Sequence, residues 1–271
     1  MDCITINGLS TRYYSAGNGA KHLVFIHGWA SSARMWLRSM WALRRDYRMW
    51  ALDLPGCGDS DSPDIEWFSL ERFTDHVEAF CRALDIHPYA VIGHSMGGRV
   101  AFDLARRYPD LTQRLVAVSP TLTGRLGFNL DVLLAGGLFG SALTLSRRLW
   151  PLATAEVMSM YWAPRYLGTE AVTRTTEDLR RTSWAGALGT LRMLVRQDYS
   201  PHLAEIAQPT LLICGRQDYT IPPGDSLLAA QRLPQARLMM LDHVHHQATD
   251  EAPQDFIRAV KAFLENGHRD P

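Results

Sequence analysis

The sequence predicts an α/β fold, a mostly parallel sheet of eight strands with helices on both faces and a helical insertion after the sixth strand. Three observations predict it. Short apolar runs rich in β-branched residues alternate with stretches of helical periodicity, which is how a parallel sheet covered by helices reads. Two short strand patterns flank Gly8-Leu9-Ser10 at the start, as an antiparallel hairpin at a sheet edge does. The alternation then breaks once, over residues 121–205, where no strand pattern is found.

In chain order the strand candidates are residues 4–7, 12–14, 23–26, 49–52, 90–92, 115–118, 210–213 and 237–241. Helix candidates lie between and after them at 33–43, 70–84, 97–108, 226–233 and 253–264. In the last of these Phe256, Val260, Phe263 and Leu264 share one face at i, i+4, i+7 and i+8, and Pro253 suits the first turn. Across 121–205 Leu, Met, Trp and Arg are frequent, and Gly136-Gly137 and Pro164 punctuate helical patterns. This divides the chain into a core of residues 1–120 and 206–271 and an inserted helical cap of residues 121–205, with 132–203 expected to lie over the carboxyl edge of the sheet.

A chain of 271 residues can bury a large core without crosslinks, and its 46% hydrophobic content and 21% charge exclude disorder, collagen and coiled coil. The 28 basic and 28 acidic residues cancel, so no broad basic face is available to grip nucleic acid. Cys3, Cys57, Cys81 and Cys214 are scattered without CxxC spacing, as free thiols in a reducing cytoplasm would be. The first residues lack a basic region followed by an apolar stretch, so no secretory signal is expected. The longest mostly apolar run, 132–145, contains three glycines and is too short to span a membrane.

Chemistry concentrates in Gly93-His94-Ser95-Met96-Gly97, which fits G-x-S-x-G directly after an apolar strand and directly before a helix. In that context the glycines let the chain turn sharply and expose the serine hydroxyl. A serine hydroxyl is a poor nucleophile until a base takes its proton and a carboxylate orients that base. The histidines His243, His245 and His246 crowd one loop after the last strand, beside Asp242. Such a cluster has the residue types of a base and equally of a zinc site. The other glycine loop, 56–61, lacks the third glycine of a dinucleotide fingerprint and runs into Ser62-Pro63 rather than a helix, and no Walker pattern exists. No cofactor and no metal are expected.

With these residues in view the sequence resembles the α/β-hydrolases over residues 1–120 and 206–271. Four segments carry the resemblance: His27-Gly28-Trp29 after the strand 23–26, Asp53-Leu54-Pro55-Gly56-Cys57-Gly58-Asp59-Ser60, the Ser95 turn, and the strand ending in Gly215-Arg216-Gln217-Asp218. The resemblance implies that Ser95 is the nucleophile and Asp218 the acid, since Ser119-Pro120-Thr121 after the preceding strand offers no carboxylate. It implies His246 as the base, because the family's histidine stands five residues before an acid followed by x-Pro, here Glu251-Ala252-Pro253; His245 then occupies the place of the family's usual glycine. The backbone N–H groups of Trp29 and Met96 fall where the family forms its oxyanion hole. His27 and His94 are expected to be structural.

The expected activity is hydrolysis of carboxylic esters through an acyl-enzyme. The alternatives within the class are cleavage of a carbon–carbon bond, a thioester, a carrier-protein ester or a lactone by the same triad; outside it stands a non-catalytic ligand-binding homologue. His27-Gly28-Trp29 and Asp53-Leu54-Pro55-Gly56 are also similar to the pimeloyl-carrier-protein methyl ester esterases, and the arginine-rich insertion suits an acidic carrier as well as a solvated face. The substrate is expected to be a small ester, free or carrier-linked. Candidate substrate-contacting residues are Trp29, Met158, Trp162 and Trp184, whose apolar side chains fit a helical core equally well.

Overall fold

The structure, a computed structural model, describes residues 1–126 and 167–266. Strands β1 (Asp2–Ile6) and β2 (Leu9–Ala16) form the expected edge hairpin. They continue into β3 (Lys21–Ile26), β4 (Tyr47–Leu52), β5 (Pro88–His94), β6 (Leu115–Val118), β7 (Thr210–Gly215) and β8 (Ala236–Leu241). The eight strands stand in the order β1-β2-β4-β3-β5-β6-β7-β8. Only the pairings of β2 with β1 and β4 are antiparallel; every pairing from β4 to β8 is parallel. Several strands run a residue or two past their apolar cores, because ladder hydrogen bonds continue where side-chain burial stops.

The helices α1 (Leu37–Leu43), α2 (Leu70–Ala83), α3 (Met96–Arg107), α4 (Thr169–Arg181), α5 (Trp184–Arg196), α6 (Gly224–Arg232), α7 (Ala248–Glu251) and α8 (Pro253–Asn266) complete the described chain. Serines start two of them: Ser69 accepts from the Arg72 N–H at the head of α2, and Ser183 from the Gly186 N–H at the head of α5. The short α7 carries no sequence expectation, since four residues give no periodicity to read. Its counterpart at the other end is the 3-10 turn Ala33–Trp36, where a helix over the whole of 33–43 was expected.

The parallel strands inside the sheet bury both faces, so alternate residues feed two separate cores, while the edge strand β8 is only half-buried. Val24 and Ile26 pack with Phe73, Val77 and Phe80 of α2 and Val100 and Leu104 of α3. Leu23 and Phe25 point the other way, toward Trp36, Met40 and the stripe Phe256, Val260, Phe263 and Leu264 of α8. Burying each of those four α8 side chains contributes about 1.5–3 kcal/mol relative to exposure. The expected hydrophobic face of that helix is therefore what fastens it.

Between β6 and β7 lie the described parts of the insertion, α4, α5 and the 3-10 turn Ser200–Glu205. Its two ends are gripped by one buried side chain. The Arg99 guanidinium on α3 donates to the carbonyls of Leu122, where the insertion leaves the sheet, and of Leu194 and Gln197, where it returns. Asp225 completes the grip on the departing end by accepting from the Leu122 and Thr123 N–H groups.

Candidate active site

Ser95 occupies the single-residue corner between β5 and α3, with φ 54° and ψ −116°. A non-glycine residue held there stores strain that the surroundings must impose. They do so by close approach: a side chain at Gly93 would meet the Gly97 carbonyl at 2.2 Å, and one at Gly97 would meet the Ile26 carbonyl at 2.3 Å. The corner is also tied to the sheet, since the Ser95 N–H donates to the Val118 carbonyl at 2.8 Å. Because α3 begins at Met96, the Met96 N–H has no carbonyl one turn back in its own helix to bind.

Asp218 follows β7 and accepts from the N–H groups of Thr220 and Ile221 at 2.9 Å through one oxygen. Its other oxygen lies 2.7 Å from His246 Nδ1. Burial alone would raise this carboxyl, but the His246 charge and hydrogen bond, with the hydrogen bond from the Ile221 N–H, outweigh it and hold Asp218 below the usual carboxylate range. An ionised carboxylate only accepts, so Nδ1 carries the proton of this hydrogen bond.

Two of the three histidines of the loop meet different acids. His246 meets Asp218, whereas His245 Nδ1 lies 2.7 Å from Glu251 Oε2. Glu251 also accepts from the N–H groups of His245 and Gln247, at 2.8 and 2.9 Å, so this acid closes the loop around the residue between them. Asp242 is paired with Arg216. Among the described residues no group of three or more His, Cys, Asp or Glu side chains is arranged to hold a metal.

The remaining motifs position these groups. His27 accepts from the Leu54 N–H at 2.9 Å through Nε2 and donates from Nδ1 to the Gly28 carbonyl at 2.7 Å. Complete burial lowers its pKa despite the nearby Asp53, so it is a neutral bridge between the loops after β3 and β4. The Asp53–Ser60 segment closes on itself, with Asp53 accepting from the Ala33 and Asp59 N–H groups and its carbonyl accepting from the Ser60 hydroxyl.

Ser95, His246, His94 and Trp29 line one cavity of about 50 Å³. Its apolar wall comes from Met35, Leu126, Leu179, Leu191, Leu194 and Ile221. The Trp29 indole reaches the insertion as well, donating to the Ala187 carbonyl at 2.8 Å. Trp184 is half-buried at the first position of α5 and is not among the described residues of the cavity wall. Met158 and Trp162 lie outside the described residues. Sequence reasoning missed the aliphatic wall, although Thr175 with Leu179 on α4 and Leu191 with Leu194 on α5 stand at helical spacing. Periodicity shows that such a face is buried and not what it faces.

A family model described as alpha/beta hydrolase fold matches residues 21–253. The chain belongs to this family. Among curated relatives of this alpha/beta hydrolase, a pimeloyl-[acyl-carrier protein] methyl ester esterase from Nitrosomonas europaea is 30% identical over 260 residues, covering 92% of this chain and 97% of the relative. A hydrolase of 2-hydroxy-6-oxo-6-(2'-aminophenyl)hexa-2,4-dienoic acid from Metapseudomonas resinovorans is 24% identical over 277 residues, covering 96% and 89%. Among solved structures, the enol-lactonase from Burkholderia xenovorans LB400 superposes with a TM-score of 0.83 at 22% identity, covering 97% of this chain and 99% of that one. The last likeness is one of fold. Together the relatives make the protein a member of a hydrolase family whose named substrates differ widely.

Proposed function

We propose that this hydrolase cleaves carboxylic esters through a Ser95-His246-Asp218 triad and an acyl-enzyme. The observation that carries the reading is the 2.7 Å contact of His246 Nδ1 with Asp218, in a histidine that lines the same cavity as the strained Ser95. In the proposed reaction His246 Nε2 takes the Ser95 proton as Oγ attacks the carbonyl, then gives it to the departing alkoxide. Water, deprotonated by the same nitrogen, attacks the acyl carbonyl; the acyl–Oγ bond breaks, the carboxylic acid leaves and Nε2 returns the proton to Ser95 Oγ. The Met96 and Trp29 N–H groups receive the oxyanion, and each such donor lowers the barrier by about 2.7–4 kcal/mol.

The insertion 121–205 acts as the cap in this reading, supported by the residues of α4 and α5 in the cavity wall beside Ser95. The buried free thiols of Cys57, Cys81 and Cys214 support a reducing compartment such as the cytoplasm. No described helix is long and apolar enough to cross a membrane. A carrier-linked ester is the second reading, supported by the name of the 30% identical relative and the length over which it aligns. Initial rates on a panel of short and medium p-nitrophenyl esters, a thioester, a lactone and a carrier-linked methyl ester test both readings, with Ser95→Ala as control. Ester turnover in wild type and its loss by about 10⁴-fold or more in Ser95→Ala is expected. Wild-type hydrolysis confined to the lactone or thioester would refute the ester assignment, and an inert wild type would favour a binding protein.

A further inference from the structure

His94 has a geometry that a filler of the core does not require. It ends β5 directly before Ser95, is 5% exposed, and places its ring centroid 4.6 Å from that of His246. Its Nε2 lies 2.9 Å from the His246 carbonyl oxygen. A carbonyl only accepts, so Nε2 carries a proton and Nδ1 a lone pair. That Nδ1 is buried without a partner, on the side where a side chain at Gly28 would come within 2.9 Å of it. An unpaired buried acceptor costs about 1–3 kcal/mol, which an apolar side chain would avoid. Rule-breaking of this kind belongs at functional sites, where another gain offsets it.

We propose, on the triad reading above, that His94 is a positioning residue that holds the base His246 in register with Ser95 through its hydrogen bond to the His246 carbonyl. The link is short. Ser95 and His94 are covalent neighbours, so the position of the nucleophile passes through one side chain to the backbone of the base. Asp218 holds the imidazole of His246, Glu251 holds the N–H groups of the residues on either side, and His94 holds the His246 carbonyl. Burial, reinforced by the neighbouring His246, pushes the His94 pKa down to about 3, which keeps a second cation away from the imidazolium formed in catalysis.

The test compares wild type with His94→Phe and His94→Asn, which remove the donor or leave it too short, and with His94→Gln, whose amide N–H can occupy the place of Nε2. Second-order inactivation by a fluorophosphonate reads serine activation whatever the natural substrate is. kcat and KM on p-nitrophenyl butyrate and thermal melting accompany it. Misplacement of the base should slow inactivation and kcat by about 100-fold in His94→Phe and His94→Asn. KM should stay within about threefold, as expected for an interaction that matters in the transition state. His94→Phe should melt no lower than wild type, and His94→Gln should recover to within about fivefold of wild-type rates. Wild-type rates in both His94→Phe and His94→Asn, or a folded His94→Gln as slow as they are, would overturn the inference alone. A wild type inert to the fluorophosphonate would overturn the triad reading on which it rests.

Discussion

Replacing His246 by Ala and, separately, His245 by Ala discriminates two adjacent side chains whose surroundings differ completely. His246→Ala removes the imidazole 2.7 Å from Asp218 and with it, in the proposed triad, the acceptor for the Ser95 proton. Loss of a triad base costs up to about 10⁶-fold in kcat, about 8 kcal/mol of transition-state stabilisation. The fold should survive, because the Asp218 carboxylate keeps the Thr220 and Ile221 N–H groups. His245→Ala removes one contact to Glu251, which still accepts from the His245 and Gln247 N–H groups and so keeps the loop closed. The main loss there is the charge-assisted hydrogen bond, about 1.5–3 kcal/mol of stability, with the ring contact to Tyr219, and less than about tenfold in rate. Side-by-side kcat and KM on p-nitrophenyl butyrate, with melting temperatures for both variants, make the comparison. A larger kcat loss in His245→Ala than in His246→Ala would refute the reasoning.

Two further outcomes follow from buried charges. Asp178, on α4, accepts from Ser32 and Arg34, yet burial pushes its pKa up to about 6. A carboxyl raised in this way favours the folded state below its unfolded value near 4, and that contribution is lost as pH rises through about 6. In urea titrations Asp178→Asn should therefore gain stability relative to wild type between pH 4 and pH 7, by up to about 3 kcal/mol; a difference that does not change with pH would refute this. Arg99→Met should leave the buried carbonyls of Leu122 and Leu194, and that of Gln197, without their donor. The expected cost is about 3–6 kcal/mol, read as a lowered urea midpoint, and an unchanged midpoint would show that these carbonyls find other partners.

Much of this protein is legible in its amino-acid order. The eight strands follow from short apolar runs, the α8 stripe from 3.6-residue spacing, and the Ser95 corner from glycines at 93 and 97 whose absent side chains allow the chain to cross itself. The strands, the stripe and the Gly93 contact are local, set by residues a turn or a pleat apart, so spacing specifies them, whereas Gly97 makes room for Ile26 of β3. The boundary errors, such as the 3-10 turn at Ala33–Trp36 and the short α7, arise where fewer than two helical turns leave no period to read.

The tertiary structure alone decided what meets what. Asp218 and His246 are 28 positions apart and adjoin because β7 and β8 are parallel neighbours that deliver both loops to one edge of the sheet. That His245 turns instead to Glu251 depends on the left-handed backbone at His243 and the closure of one loop, which no residue type announces. The aliphatic cavity wall, the Arg99 grip on both ends of the insertion and the His94 hydrogen bond to the His246 carbonyl likewise join distant segments. Periodicity states that a face is buried; only the path of the backbone in space selects its partner, because contact depends on distance through the fold and not along the chain.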